Sequence, residues 1–243
     1  MFSDVTNIPK RINSPILEAI FEIRYECSYP GEALYGLLFE IFDKFPNKNE
    51  HTLPILQVPV QIRAIDPNFK YQPYYRAAKD GFAFAIGPHS IVFSALKPYR
   101  GWTEWKSFIN PIIEGIKNKE IIRSVERIGL RTLDVFEGNI FDEINANLTI
   151  ANNIITAYPT SFFTEFDQED IHVLLNIGNA ANINGVPTKK SLIDIDCIYS
   201  FDCDVLGFFS SYQEVLEKAH LANKKIFFGL MKQNLLSSLN PEY

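Results

Sequence analysis

Phe82, Phe84 and Ile86 alternate with Ala83 and Ala85, the period of two expected of a strand with one buried face. Gly87-Pro88-His89-Ser90 is turn chemistry. Ile91, Phe93 and Ala95, alternating with Val92, Ser94 and Leu96, predict a return strand. After Gly101 the period changes. Trp102, Trp105, Phe108, Ile109, Ile112, Ile113 and Ile116 fall on one stripe of a helix, and its two tryptophans are the only two in the chain. Burial of such a stripe, at about 25 cal/mol per Å², predicts a long helix across the sheet. A strand resumes over Val125 to Phe136, through Ile128, Leu130 and Leu133.

On either side the pattern continues. Residues 1–15, with Pro9 and Pro15, read as an extended arm. A strand follows from Ala19 to Tyr25, then a helical stripe from Ala33 to Phe42, stopped at Pro46. Asn47 to Thr52 is a polar loop. Ile55 to Ile65 reads as a strand in which Pro59 marks an edge or a bulge. Tyr71 to Arg76 reads as another. Further on, Gly138 to Leu148 reads as a short helix, and Ile154 to Phe166 and Ile171 to Ile177 as strands around an acidic turn at Asp167 to Asp170. Gly178 to Lys190 is an exposed loop and Ser191 to Tyr199 a strand. From Phe208 a helical pattern runs through Phe209, Tyr212, Val215, Leu216 and Ala219. It continues through Ile226, Phe227 and Leu230 as one long helix or a pair.

Strand, loop, strand, helix thus occurs twice, over Phe82 to Ile116 and Ile171 to Ala219, with Trp102 and Trp105 matching Phe209 and Tyr212. The prediction is an α+β fold of two similar halves, 1–124 and 125–243. Each is a curved antiparallel sheet packed on a long helix, an internal duplication whose halves pack tightly. A single α+β domain with coincidental periodicity fits the same pattern.

Composition bounds the readings. With 243 residues and 47% hydrophobic content the chain supports a sizeable core and is not disordered overall. A net charge of −6 and a pI near 5.3 disfavour a general nucleic-acid binder. Cys27, Cys197 and Cys203 are odd in number and lack metal-ligand spacing, which suits a reduced, cytoplasmic setting. No apolar run approaches the ~20 residues of a membrane span, and no signal peptide is expected.

Four phrases carry a resemblance. They are SPILEAIFEIRY from Ser14, Gly101-Trp102 opening a helix, RIGLR from Arg127 to Arg131, and His220 followed by FFGLM and a Pro-x-Tyr end. The chain resembles a sporadically distributed prokaryotic family of roughly this length, whose function is not established. The resemblance implies a full-length match and a setting in defence-associated or mobile-element neighbourhoods. It supplies no site residues.

Candidate chemistry is sparse. Arg127 and Arg131 flank Gly129 on one strand face, about 13 Å apart at ~3.3 Å per residue. With Tyr75 they would line a sheet–helix groove for an anionic small molecule or a nucleotide. The plainer reading pairs each arginine with one of the 29 acidic residues. Asp194, Asp196, Asp202 and Asp204 lie in DIDCIYSFDCD. The first two share a face and are weak candidates for Mg²⁺ and phosphoryl chemistry. A solvated face, or pairing with the arginines across a shared sheet, is the plainer reading. Cys197 points to a core face, and there is no nucleophile elbow, Walker loop or dinucleotide fingerprint, so no cofactor is expected. Tyr71, Tyr74, Tyr75 and Arg76 with Lys70 and Lys79 could form a stacking platform for single strands, but the acidic balance ranks protein contact first. Phe208, Phe209, Ile226, Phe227, Phe228 and Met231 exceed one buried stripe and mark a second candidate interface. Three readings follow, in order. They are a non-enzymatic protein-interaction component that binds a partner or itself, an anion-binding module, and a metal-dependent phosphoryl-transfer enzyme.

Overall fold

The computed structural model describes residues 2, 5–47, 51–183 and 188–243. Parts of the predicted arm, of the Asn47–Thr52 loop and of the Gly178–Lys190 loop therefore lie outside the described residues. Strand β1 (Ile16–Cys27) leads through α1 (Leu34–Leu37), α2 (Phe39–Phe42) and α3 (Val60–Ile65) to strands β2 (Tyr75–Lys79), β3 (Phe82–Ile86) and β4 (Ser90–Leu96) and helix α4 (Trp102–Lys117). Strand β5 (Ile122–Phe136) then leads through the hairpin β6 (Thr149–Ile150) and β7 (Asn153–Ile154) to β8 (Ser161–Gln168), β9 (Ile171–Ala181) and β10 (Lys190–Ser200). Helices α5 (Val205–Leu230) and α6 (Gln233–Ser238) follow. The fold is α+β. Its large sheet has the order β2-β3-β4-β1-β5-β10-β9-β8, and β6 and β7 pair separately. The pairings β2 with β3, β3 with β4, β8 with β9 and β9 with β10 are antiparallel.

Two compact units form. The first comprises Ile20–Gly129 and Ser200–Leu216, and the second Met1–Ala19, Leu130–Tyr199 and Glu217–Tyr243. In the first, Phe21, Ile23 and Tyr25 of β1 are buried in alternation with Glu22 and Arg24. Phe84 and Phe93 stack into the same layer: Phe93 lies 5.7 Å from Phe21 and 5.5 Å from Phe84, and Phe42 lies 5.6 Å from Phe84 between ring centroids. These separations suit offset and tilted aromatic pairs. Helix α4 buries Trp105, Ile109, Ile112, Ile113 and Ile116, the stripe its spacing predicts. A Cβ on Gly115 would come within 2.8 Å of Ile41 Cδ1, so glycine sets how closely α4 approaches α2.

Four local predictions fail. The Ala33–Phe42 stripe is broken at Leu38 (φ −103°, ψ 18°) into the single turns α1 and α2. Ile55–Ile65 is no strand: Pro54–Gln57 is a 3-10 turn, and Pro59 precedes helix α3. A proline there forfeits no helical hydrogen bond. Arg63, buried, donates to Val58 O (2.9 Å) and to Glu32 Oε1 (2.7 Å) and lies 4.6 Å over the Tyr74 ring. That anchor turns α3 so that Val60, Ile62 and Ile65 face solvent. The Tyr71–Arg76 strand is displaced to Tyr75–Lys79, and Gly138–Leu148 holds only a 3-10 turn at Ile140–Asp142.

In the second unit β8, β9 and β10 form a meander. Val173, Leu175 and Ile177 and then Ile193, Ile195 and Cys197 fill one face. Against that face, α5 buries Ala219, Ala222, Asn223, Ile226, Phe227 and Leu230. Asn223 Nδ2 donates to the Ile195 carbonyl at 3.3 Å, fixing the helix to β10. The N-terminal arm is extended and ladders onto the C-terminal segment, through Lys10 N to Glu242 O (2.7 Å), Glu242 N to Arg11 O (2.9 Å) and Asn13 N to Leu239 O (2.7 Å). The predicted choice at the C-terminal pattern resolves to one 26-residue helix.

Gly101, which caps α4, has φ 101°. A side chain is strained there, so Gly101→Ala should lower stability by about 1 kcal/mol or more. A urea midpoint equal to that of the parent would contradict this.

Candidate functional site

The strand alternation of β5 sorts its residues to two sides. Leu130, Thr132 and Asp134 are buried, whereas Arg131 is exposed and Leu133 and Val135 are half-buried. In the second unit, Arg131 meets Asp194 of β10. Nε donates to Oδ1 at 2.7 Å and Nη2 to Oδ2 at 2.6 Å, a bidentate fork. Asp196 and Glu18 add to the negative field at the guanidinium. The arginine side chain is 45% exposed and the aspartate 15%. In the first unit, Arg127 Nη2 lies 3.5 Å from Glu22 Oε2, which also accepts from Arg24 Nε at 3.0 Å. Tyr75 is buried, and its hydroxyl donates to the Glu32 carbonyl at 3.0 Å. The three residues of the anion-binding reading thus have three separate partners, and each arginine is already engaged by a carboxylate.

The other candidates are also occupied. Among the described residues no three His, Cys, Asp or Glu side chains are grouped to hold a metal ion, and Asp194 is given over to Arg131. Of the tyrosine platform, Tyr74 and Tyr75 are buried. Tyr71 faces Arg24 at 4.0 Å and Lys70 at 4.8 Å and donates to Glu126 at 3.1 Å. The surplus of α5 is taken up inside: Phe208, Ile226, Phe227 and Met231 are buried, and Phe209 and Phe228 half-buried. Cys197 is buried, which pushes its thiol well up, so it is protonated and unreactive. His51 is buried between the Tyr35 hydroxyl (3.4 Å) and the Pro46 carbonyl (3.2 Å), and His89 sits 3.2 Å from Glu26.

Two features escape sequence reasoning. The first is Asp134, a carboxyl buried on the helix-facing side of β5. Beside it, Asn223 Nδ2 donates to Thr132 Oγ1 at 3.1 Å. Burial pushes the Asp134 pKa up to about 8, the Thr132 hydroxyl partly offsets this, and the charge of Asp194 adds to it. At neutral pH the group is predominantly protonated. The second is an exposed apolar segment leading into β8. Ile150, Ile154, Tyr158 and Phe163 are 63%, 66%, 69% and 61% exposed. An isolated surface leucine or isoleucine is ordinary, whereas here four large apolar side chains are exposed between Ile150 and Phe163. A scan against models of known protein families matched none, and a search of curated proteins found no match.

Two outcomes follow from this geometry. The Arg131–Asp194 pair is partly exposed, so a double-mutant cycle with Arg131→Ala and Asp194→Ala should give a measurable coupling of about 0.2–1 kcal/mol. Arg131→Glu should cost more than Arg131→Ala, because it sets a like charge against Asp194. A cycle with no coupling would contradict the fork. For Asp134 the folded pKa lies above the unfolded value, so folding retains a proton that the unfolded chain releases. Its contribution is complete below the ordinary carboxyl value of 3.8 and falls as pH rises to about 8, by up to about 1.4 kcal/mol per pH unit. The stability of Asp134→Asn relative to the parent should therefore rise from pH 5 to about pH 8 and level off above it. A difference flat across that range, measured by urea unfolding, would contradict the buried titration.

Proposed function

We propose that the protein works through protein contact, as a non-enzymatic component that joins a partner or a further copy of itself. The carrying observation is the exposed apolar run of Ile150, Ile154, Tyr158 and Phe163 in the second unit. Water is excluded from such side chains when another surface covers them, at roughly 25 cal/mol per Å². A setting in prokaryotic defence-associated or mobile-element neighbourhoods is what the resemblance of the sequence implies for that assembly.

The same reading takes the chain as an internal duplication. Two observations support it. The sheet order reads alike from either end when β1 is exchanged with β5, β4 with β10, β3 with β9 and β2 with β8. The buried stripe of α4, Trp105, Ile109, Ile112, Ile113 and Ile116, has the spacing of Phe208, Tyr212, Val215, Leu216 and Ala219 in α5. That register sets Trp105 against Phe208, in place of the Trp105–Tyr212 match drawn from the sequence pattern. Duplicated halves free one copy to diverge into a contact surface.

Sedimentation and pull-down of the full chain test the reading. Ile150→Lys with Ile154→Lys should abolish the assembly and leave the unfolding midpoint in place. A strict monomer that captures nothing, before and after the change, would sink it.

A further inference from the structure

We propose that β8 is a docking edge that takes a basic, extended segment of a partner protein as an added strand. This rests on the protein-contact reading above and names the partner's chemistry. The two ends of the sheet differ. At one end β2 has its outer backbone covered: Arg76 N donates to His51 O (2.7 Å), Leu53 N to Tyr74 O (2.9 Å), and Thr52 pairs with Tyr75. At the other end β8 pairs with β9 alone, and among the described residues no segment bonds to its outer side.

The direction of its free groups follows from the hairpin. The Glu169–Asp170 turn has two residues and closes on Gln168 opposite Ile171, which is a hydrogen-bonded pair in such hairpins. Bonding alternates from there. Phe162, Thr164 and Phe166 bond to β9, and Ser161, Phe163, Glu165 and Asp167 turn their N–H and C=O groups to the open edge. The Asp167 and His172 side chains lie 2.7 Å apart, the closeness expected of a non-hydrogen-bonded pair.

Exposed edges are usually guarded by charged side chains, above all lysine, or by proline, a bulge or shortness, and the charged residues of this strand are both acidic. SFFTEFDQ has eight residues, neither lysine nor proline, and an unbroken register with β9. Its charge selects the occupant. Glu165 and Asp167 are 63% and 77% exposed, and Glu169 and Asp170 stand at the tip. Opposing them are His172 and Lys218, the latter 3.6 Å from Asp170. An identical antiparallel strand would set carboxylates near carboxylates. A strand alternating lysine with apolar or β-branched residues completes the ladder, meets Glu165 and Asp167 with opposite charge and covers Phe163.

The test uses the full chain and a labelled short peptide alternating lysine with threonine and valine, beside its glutamate counterpart, in fluorescence anisotropy. The lysine peptide should bind at least about tenfold more tightly than the glutamate one. Glu165→Pro removes an outward N–H and no bond to β9. It should weaken lysine-peptide binding at least about tenfold with the thermal midpoint unchanged. Glu165→Lys with Asp167→Lys should invert the preference. Should the proline variant fail to fold, exchange of the Phe163 and Glu165 amides in the parent decides. The lysine peptide should slow it at least about tenfold. Equal binding to parent and proline variant, or unchanged exchange, overturns the added strand and leaves diffuse attraction. A parent dimer lost in Glu165→Pro, with no peptide bound, assigns the edge to a second copy and also overturns it. If the peptide fails while Ile150→Lys with Ile154→Lys still breaks an assembly, only this inference falls and the protein-contact reading stands.

Discussion

A sheet with one apolar face must hide that face, and in each unit a helix stripe does so. In the first unit Phe21, Phe84 and Phe93 form the floor, and Trp105, Ile109, Ile112 and Ile113 belong to the helix that covers it. In the second, the floor is Val173, Leu175, Ile193 and Ile195, and α5 supplies Ala219, Ile226 and Leu230. Each of the larger aliphatic and phenylalanine side chains contributes on the order of 1.5–3 kcal/mol when removed from water. Once these stripes are committed inward, strand alternation fixes which residues remain for solvent and for partners.

Polar groups are placed by the same rule. Arg131 and Asp194 fall on the outward side of their strands and meet there, half in water. Asp134 falls on the inward side, where its charge is not supported, and it holds a proton instead. Thr132 and Asn223 make this part of the interior polar, and Asn223 fixes the helix to β5 through Thr132 and to β10 through the Ile195 carbonyl, where the rest of the stripe relies on packing.

Legibility in the sequence tracked how much of the information was local. The hairpin at Gly87–Ser90 and the α4 stripe were plain, because alternation and 3.6-residue spacing are both carried by neighbouring residues. The Ile55–Ile65 segment misleads, because its apolar content mimics a strand while Pro59 opens α3 and a distant glutamate, Glu32, holds Arg63 inward. The pairing of Arg131 with Asp194 is one of the alternatives that the sequence pattern offers, whereas Arg127 turns to Glu22, which spacing alone does not identify. Asp134 was invisible for a related reason. LRTLDVF, from Leu130, reads as an ordinary half-polar strand, and only the placement of α5 over it shows which polar residues are enclosed.

The chain order of the two units bears on how the protein is made. The first unit is built mainly from residues before Gly129, yet it includes Ser200–Leu216, and the second needs both the N-terminal arm and Glu217–Tyr243. Neither core can close during synthesis until the ribosome has passed Ser200. Until then the aromatic meander of β2, β3 and β4 waits with its floor only partly roofed. Chaperone occupancy during translation is therefore expected to centre on that interval, and to end as α5 emerges.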